Sequence, residues 1–105
     1  MKLEEFASIL EETGYPVAKD EFPLEVSVNT PYIIYEVDGS RNLFADNQVF
    51  YKVLAINIML FTDKADDEPK EVLEEVLANH NIPWQYDSTY DHDEYDYETV
   101  YNVEV

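Results

Sequence analysis

The feature that most constrains this chain is a run of strand-forming residues, VFYKVLAINIMLF, at positions 49–61. Side chains of a strand alternate between two faces, and here both sets are apolar except at Lys52 and Asn57. A strand with one solvated face needs only one apolar set, so we expect this strand to be covered on both sides. The run is also longer than a compact domain of this size needs.

Two segments with helical periodicity lie before and after this run. In KLEEFASILEETG, apolar residues at the spacing of one helix face predict a first helix, with Gly14 just past its end. In DKADDEPKEVLEEVLANHNIP, Asp67 or Glu68 as N-cap and Pro69 in the first turn predict a second helix. His80 follows the second helix, and we interpret it as part of the C-terminal cap.

The remaining segments predict strands and an arm. PYIIYEV (31–37) reads as a strand followed by a loop at DGSRN, and 84–103 reads as a hairpin with the acidic turn DHDE at its tip. The segment 15–31 contains three prolines and has no period, so we predict an irregular arm with a short extended piece at LEVSV. The order α-β-β-α-β-β predicts an α+β fold in one domain, 1–105, with two helices packed on one face of a four-stranded antiparallel or mixed sheet.

Composition excludes several classes of partner. The chain has 105 residues, with 24 Asp and Glu against 6 Lys and Arg, and a formal net charge of −18. A phosphate backbone or an anionic membrane would be repelled by that charge, so we expect no nucleic-acid or membrane partner. The 46% hydrophobic content is too high for a disordered acidic tail. With no apparent signal peptide, we expect a folded protein that stays in the cytoplasm where it is made.

One cluster invites a chemical interpretation. Asp91, His92, Asp93 and Glu94 offer oxygen ligands and one imidazole within four residues, but they lack the glycine and ligand spacing of an EF-hand loop. A solvated hairpin turn is the simpler interpretation, and a small metal-dependent enzyme using these four residues is the weaker alternative. The chain has only two glycines and no cysteine, which excludes a glycine-rich phosphate loop and a thiol nucleophile. We therefore predict no enzyme and no cofactor.

The nine tyrosines favour an interaction protein, because tyrosine buries a large apolar body at little entropic cost and keeps a polar tip. Two helices on one side can cover only one face of a sheet. The second face of the long strand must then meet the proline-containing arm or another subunit.

Several segments, taken together, resemble small tail proteins of long-tailed phages and prophages of Gram-positive bacteria, of the tail-terminator or tail-to-head joining class. The most characteristic are PYIIYE, ADNQVFYKV and LFTDK, and the resemblance extends over essentially the whole chain. It implies a non-enzymatic structural protein that forms a homo-oligomeric ring, commonly a hexamer, at the end of the tail tube. It also implies tail tube and head–tail connector proteins as partners, and a place in the virion tail after assembly in the host cytoplasm. We predict a subunit interface formed by Phe50, Leu54, Ile56, Ile58, Leu60, Tyr95 and Tyr97.

The charge leaves a second function open. An acidic surface can mimic DNA or block a basic active site, as anti-restriction and toxin-immunity proteins do. Tight, salt-sensitive binding to a basic nuclease or DNA-binding protein would distinguish this acidic inhibitor from a ring subunit.

Overall fold

The structure, a computed structural model, describes residues 1–40, 43–45, 48–51, 53–63, 66–91 and 96–105. The elements within those ranges are, in chain order, α1 (Leu3–Glu11), β1 (Val17–Lys19), β2 (Tyr32–Ser40), β3 (Leu43–Ala45), β4 (Gln48–Tyr51), β5 (Leu54–Asp63), α2 (Glu68–Asn79), β6 (Trp84–Asp91) and β7 (Asp96–Glu104).

Five of the strands form one mixed sheet in the order β1-β2-β5-β7-β6. The short edge strand β1 runs parallel to β2, and the other neighbours are antiparallel. The strands β3 and β4 pair with each other in a separate two-stranded sheet, which we call the ribbon. The fold is therefore α+β with two helices, as the sequence predicts.

Both helices pack on the same face of the five-stranded sheet. The apolar face of α1 buries Phe6 and Leu10, and that of α2 buries Leu73 and Leu77. These side chains meet the alternate residues of β2, β5 and β7 that point toward them. The core cluster is Phe6, Ile9, Leu10, Ile33, Tyr35, Ile56, Ile58, Leu60, Leu73, Leu77, Ile82, Tyr101 and Val103.

The ends of both helices follow local sequence signals. Asp67 is the N-cap of α2, Pro69 lies in its first turn, and His80 is its C-cap, as predicted. Helix α1 ends at Glu11 with Glu12 as its C-cap, so Gly14, with φ +83°, lies two residues beyond the cap rather than directly after the helix. The buried Thr13 closes this end by donating its hydroxyl to the Leu10 carbonyl, 2.8 Å away.

The predicted four-stranded sheet is wrong by one strand. Strand β1 lies inside the segment predicted as an irregular arm, and it pairs with β2 from Val17 opposite Ile33. Backbone hydrogen bonds join Ile33 to the carbonyl of Pro16 and Asp20 to the carbonyl of Tyr35. Three residues are too few to show a period of two, so sequence patterning could not reveal this strand.

The long run at 49–61 is two strands rather than one. It divides into β4, which ends at Tyr51, and β5, which begins at Leu54. The loop predicted at DGSRN starts later than expected, because β2 continues to Ser40 past an irregularity between Val37 and Gly39. Within β5 the two predicted faces are present, and the even-numbered residues face the helices.

The piece LEVSV of the arm is not a strand, and Leu24 is 99% exposed. The arm does contact the sheet through Phe22, whose ring meets Tyr32 edge-on at 5.7 Å between centroids. Neither α1 nor α2 is long and apolar enough to cross a membrane.

Candidate functional site

Three residues of the predicted subunit interface lie inside the core of the chain itself. Ile56, Ile58 and Leu60 are at most 1% exposed, on the face of β5 that the helices cover. Leu54, at the start of the same strand, is half-buried against that core. The predicted interface residues of β5 therefore lie on the face that the folded chain buries. Any contact of this strand with another subunit must use the opposite face.

Of the other three predicted interface residues, the structure describes Phe50 and Tyr97. Phe50 belongs to β4 of the ribbon, where the structure describes the backbone. Tyr97 is half-buried on β7, opposite Thr62, whereas Tyr95 lies outside the described residues.

The acidic turn considered as a metal site is described only at its first residue, Asp91, the last residue of β6. His92, Asp93 and Glu94 lie outside the described residues. In the part of the chain that is described, no group of three or more His, Asp or Glu side chains is placed to hold a metal ion.

His80 has a structural contact in addition to its position at the end of α2. Its Nε2 lies 2.9 and 3.0 Å from the two carboxylate oxygens of Glu12, at the end of α1. The contact joins the ends of the two helices, which pack side by side on the sheet. We therefore assign His80 to the connection between the helices rather than to a ligand site.

The side of the sheet opposite the helices, which we call the open face, is where the structure brings together chemically distinctive side chains. Because residues paired across neighbouring strands share a face, the strand register defines its members. They are Tyr32, Ile34, Glu36, Ala55, Asn57, Met59, Phe61, Asp63, Gln85, Ser88, Tyr90, Asp96, Glu98, Val100, Asn102 and Glu104.

An aromatic cluster occupies one end of the open face. The rings of Tyr32 and Phe61 stack with their centroids 4.7 Å apart, and Phe22 of the arm packs edge-on against Tyr32. The hydroxyl of Thr30 donates a hydrogen bond to Asp63, which ties the arm to the same end. The arm therefore covers this end, as one of the two sequence alternatives proposed.

A row of polar side chains crosses the open face further along the strands. Glu36 on β2 lies opposite Asn57 on β5, Asn57 lies opposite Asn102 on β7, and Asn102 lies opposite Gln85 on β6. Asn57 donates a side-chain hydrogen bond to Glu36, with 3.3 Å between Nδ2 and Oε1. We call these four residues, one carboxylate and three amides, the amide row. Sequence patterning showed only that Asn57 interrupts an apolar set. The strand register was needed to show that it lies in one row with Glu36, Gln85 and Asn102.

The three amides of this row line a depression of about 490 Å³, which lies toward the end of the sheet opposite the aromatic cluster. Its polar lining consists of Asp38, Asn57, Gln85, Asn102 and Glu104. The rest of the lining comes from Ala55, Ile56, Pro83, Trp84 and Val103. Side-chain amides both donate and accept hydrogen bonds, whereas carboxylates at neutral pH only accept them. This depression therefore suits a group that carries several N–H donors.

The charged side chains of the four long strands are all negative. The strands β2, β5, β6 and β7 together contain eight Asp and Glu residues and no Lys or Arg. At the aromatic end, burial raises the pKa of Tyr32, and the nearby Asp96 and Glu98 raise it further. Asp96 and Glu98 thus place negative charge near the aromatic end of the open face.

Comparison with known proteins assigns the chain to no class. No protein family model matches it, and no curated protein matches its sequence. The open face and the ribbon are therefore the features of the chain that bear on its function.

Proposed function

We propose that the chain is a structural subunit of a homo-oligomeric ring, a hexamer, of the tail-terminator or head–tail joining type found in long-tailed phages and prophages. In this proposal it is not an enzyme and takes no cofactor. It caps the end of a tail tube, contacts tube and connector proteins, and resides in the virion tail after assembly in the host cytoplasm. The observation that carries the assembly is the ribbon.

The ribbon needs to pack against another surface, because two strands alone are only marginally stable in water. In the described sheets, β3 and β4 pair with each other and do not join the five-stranded sheet. The two strands read LFA and QVFY, and five of these seven residues are large apolar or aromatic types. Contact with a second subunit would supply the packing that such a sequence needs, and Phe50 of the predicted interface belongs to this ribbon.

The long edge of the sheet is less suited to self-association. Strand β6 has an irregularity between Tyr86 and Ser88, with Asp87 as the extra residue. Bulges and charged side chains are devices that protect an edge strand from pairing with another chain. Assembly through the ribbon avoids this edge.

The phage assignment depends on the resemblance in sequence, and one of the segments that carry it, ADNQVFYKV, includes a strand of the ribbon. PYIIYE covers the start of β2, ADNQVFYKV includes β4, and LFTDK covers the end of β5. These three segments belong to the antiparallel β2–β5 pair and to the ribbon that connects it.

The test shortens the ribbon. Ser40 and Leu54 lie directly opposite each other, so a two-residue Asn-Gly turn can replace residues 41–53 and still join β2 to β5. We expect the shortened chain to keep its circular dichroism spectrum and unfolding transition but to sediment as a monomer. The unmodified chain should sediment as an oligomer under the same conditions.

A second variant, Phe50→Ser, keeps the ribbon's length and should weaken association. A shortened chain that folds and still assembles would contradict a role for the ribbon.

A second candidate function, the acidic inhibitor, is favoured by the absence of Lys and Arg from β2, β5, β6 and β7. In this function the chain binds a basic protein, such as a nuclease or a DNA-binding protein. Binding that weakens steeply as salt rises, with a monomeric chain at all concentrations, would favour it over the ring.

A further inference from the structure

We propose that the open face docks a basic surface of another protein and that one Lys or Arg side chain of this partner enters the depression beside Asp38. The inference rests on the second candidate function, the binding of a basic protein, and names the surface responsible. It does not require the ring.

Charge identifies the kind of occupant. Glu36 and Asp38 are exposed on β2, and the four long strands of the sheet contribute no cation. Two copies of the chain packed through this face would bring carboxylates against carboxylates, which disfavours a second copy as the occupant. A Lys- or Arg-rich surface has the complementary charge.

The hydrogen-bonding groups fit the same occupant. Carbonyl oxygens of Asn57, Gln85 and Asn102 can accept N–H donors, and the carboxylate of Asp38 lines the same depression. A guanidinium or ammonium group supplies three to five such donors and no acceptor. A volume of about 490 Å³ is ample for one long cationic side chain.

The apolar part of the open face favours a protein partner over a free small cation. Ile34 lies opposite Met59, and Met59 lies opposite Val100, in the row next to the amide row. Ile34 and Met59 remain half-buried rather than fully buried in the chain alone. An apolar centre bordered by polar and charged groups is the usual arrangement of a protein–protein interface.

The first experiment is a nuclear magnetic resonance titration of the ¹⁵N-labelled chain with a six-residue lysine peptide, at about 0.15 M salt to screen diffuse attraction. We expect the largest shifts in the side-chain amide signals of Asn57, Gln85 and Asn102. Shifts concentrated on α1 and α2, whose exposed faces are also acidic, would overturn the proposed surface.

A matched pair of variants tests the same point through affinity. Gln85→Lys adds a positive charge at the rim of the depression, and Ser8→Lys adds the same charge on the exposed side of α1. Both variants have the same net charge, so a difference between them reports the place of the substitution rather than the total charge. We expect the dissociation constant of the peptide to rise about three- to tenfold in Gln85→Lys and less than about twofold in Ser8→Lys.

The outcomes separate the surface from the function. If the peptide binds and both variants weaken binding equally, diffuse charge is responsible and the proposed surface is wrong, although a basic partner remains. If the peptide does not bind the unmodified chain at this salt concentration, the proposed surface and the second candidate function fail together.

Discussion

The hydroxyl of Tyr101 on β7 donates a hydrogen bond to the carboxylate of Glu74 on α2, with 2.8 Å between the two oxygens. Tyr101 is 1% exposed and belongs to the core cluster, whereas Glu74 is half-buried at its margin. The bond therefore joins the second helix to the centre of the sheet.

Replacing Tyr101 with Phe removes this bond and leaves the Glu74 carboxylate without its donor. Because hydrogen bonds to charged groups contribute more than neutral ones, we expect the free energy of unfolding to fall by about 1.5–3 kcal/mol. Urea denaturation followed by circular dichroism measures it. Tyr90→Phe is the matched control, since Tyr90 is 52% exposed, and it should change stability by less than about 0.5 kcal/mol. Equal effects of the two variants would contradict a structural role for the bond.

The same tyrosine predicts a loss of stability in alkali. Burial, and then the hydrogen bond to Glu74, raise the pKa of Tyr101 above its ordinary value of 10.0. The neutral phenol is thus favoured in the folded chain. Its stabilisation is complete below about pH 10 and is lost as the pH rises above that, because the unfolded chain ionises first. We expect this residue to contribute a fall of about 1.4 kcal/mol per pH unit in that range.

Burial also raises the pKa values of Tyr15, Tyr32 and Tyr35, so the slope of the unmodified chain has several contributors. The decisive comparison is between the unmodified chain and Tyr101→Phe, measured by urea denaturation at several pH values above about 10. A shallower slope in the variant is expected, and identical slopes would contradict the assignment.

The core predicts which leucine matters for folding. Leu73 on α2 is fully buried against the sheet, whereas Leu24 on the arm is 99% exposed. We expect Leu73→Ala to lower the free energy of unfolding by about 2–5 kcal/mol, and Leu24→Ala to change it by less than about 0.5 kcal/mol. Chemical denaturation of the two variants checks this. A large loss in Leu24→Ala would mean that the arm packs elsewhere in solution.

The ribbon predicts hydrogen exchange that depends on protein concentration. If a neighbouring subunit covers β3 and β4, their amides should exchange more slowly as the concentration rises and the chain assembles. The amides of β5, which pairs on both sides within the chain, provide the internal control and should not change. Exchange at 43–51 that is the same at every concentration would argue against an interface there.

Sequence patterning predicted the elements whose periodicity extends over many residues. Both helices, their packing on one face and the hairpin of β6 and β7 are present, because long amphipathic segments indicate their own burial. Strands β1 and β5 pair with residues farther along the chain, and local pattern does not encode such pairing. It therefore showed neither β1 nor the point at which the long run divides into β4 and β5.

The same limit explains the site. Two apolar faces were correctly read in β5, but the residues themselves do not state which face the helices cover, and the interface prediction took Ile56, Ile58 and Leu60 from the covered one. The residues of the amide row are distant in sequence, and only the register of four strands places them side by side. A prediction that first placed the helices over the even-numbered residues would have directed attention to Asn57 and its neighbours.

The most direct test of the central claim is the mass of the unmodified chain in solution. Light scattering behind a sizing column should be recorded at several protein concentrations and at low and high salt, because screening relieves the repulsion between subunits that each carry −18. The ring predicts a mass that rises with concentration or salt toward six times the 12.3 kDa of one chain. A mass of 12.3 kDa under every condition would contradict the ring.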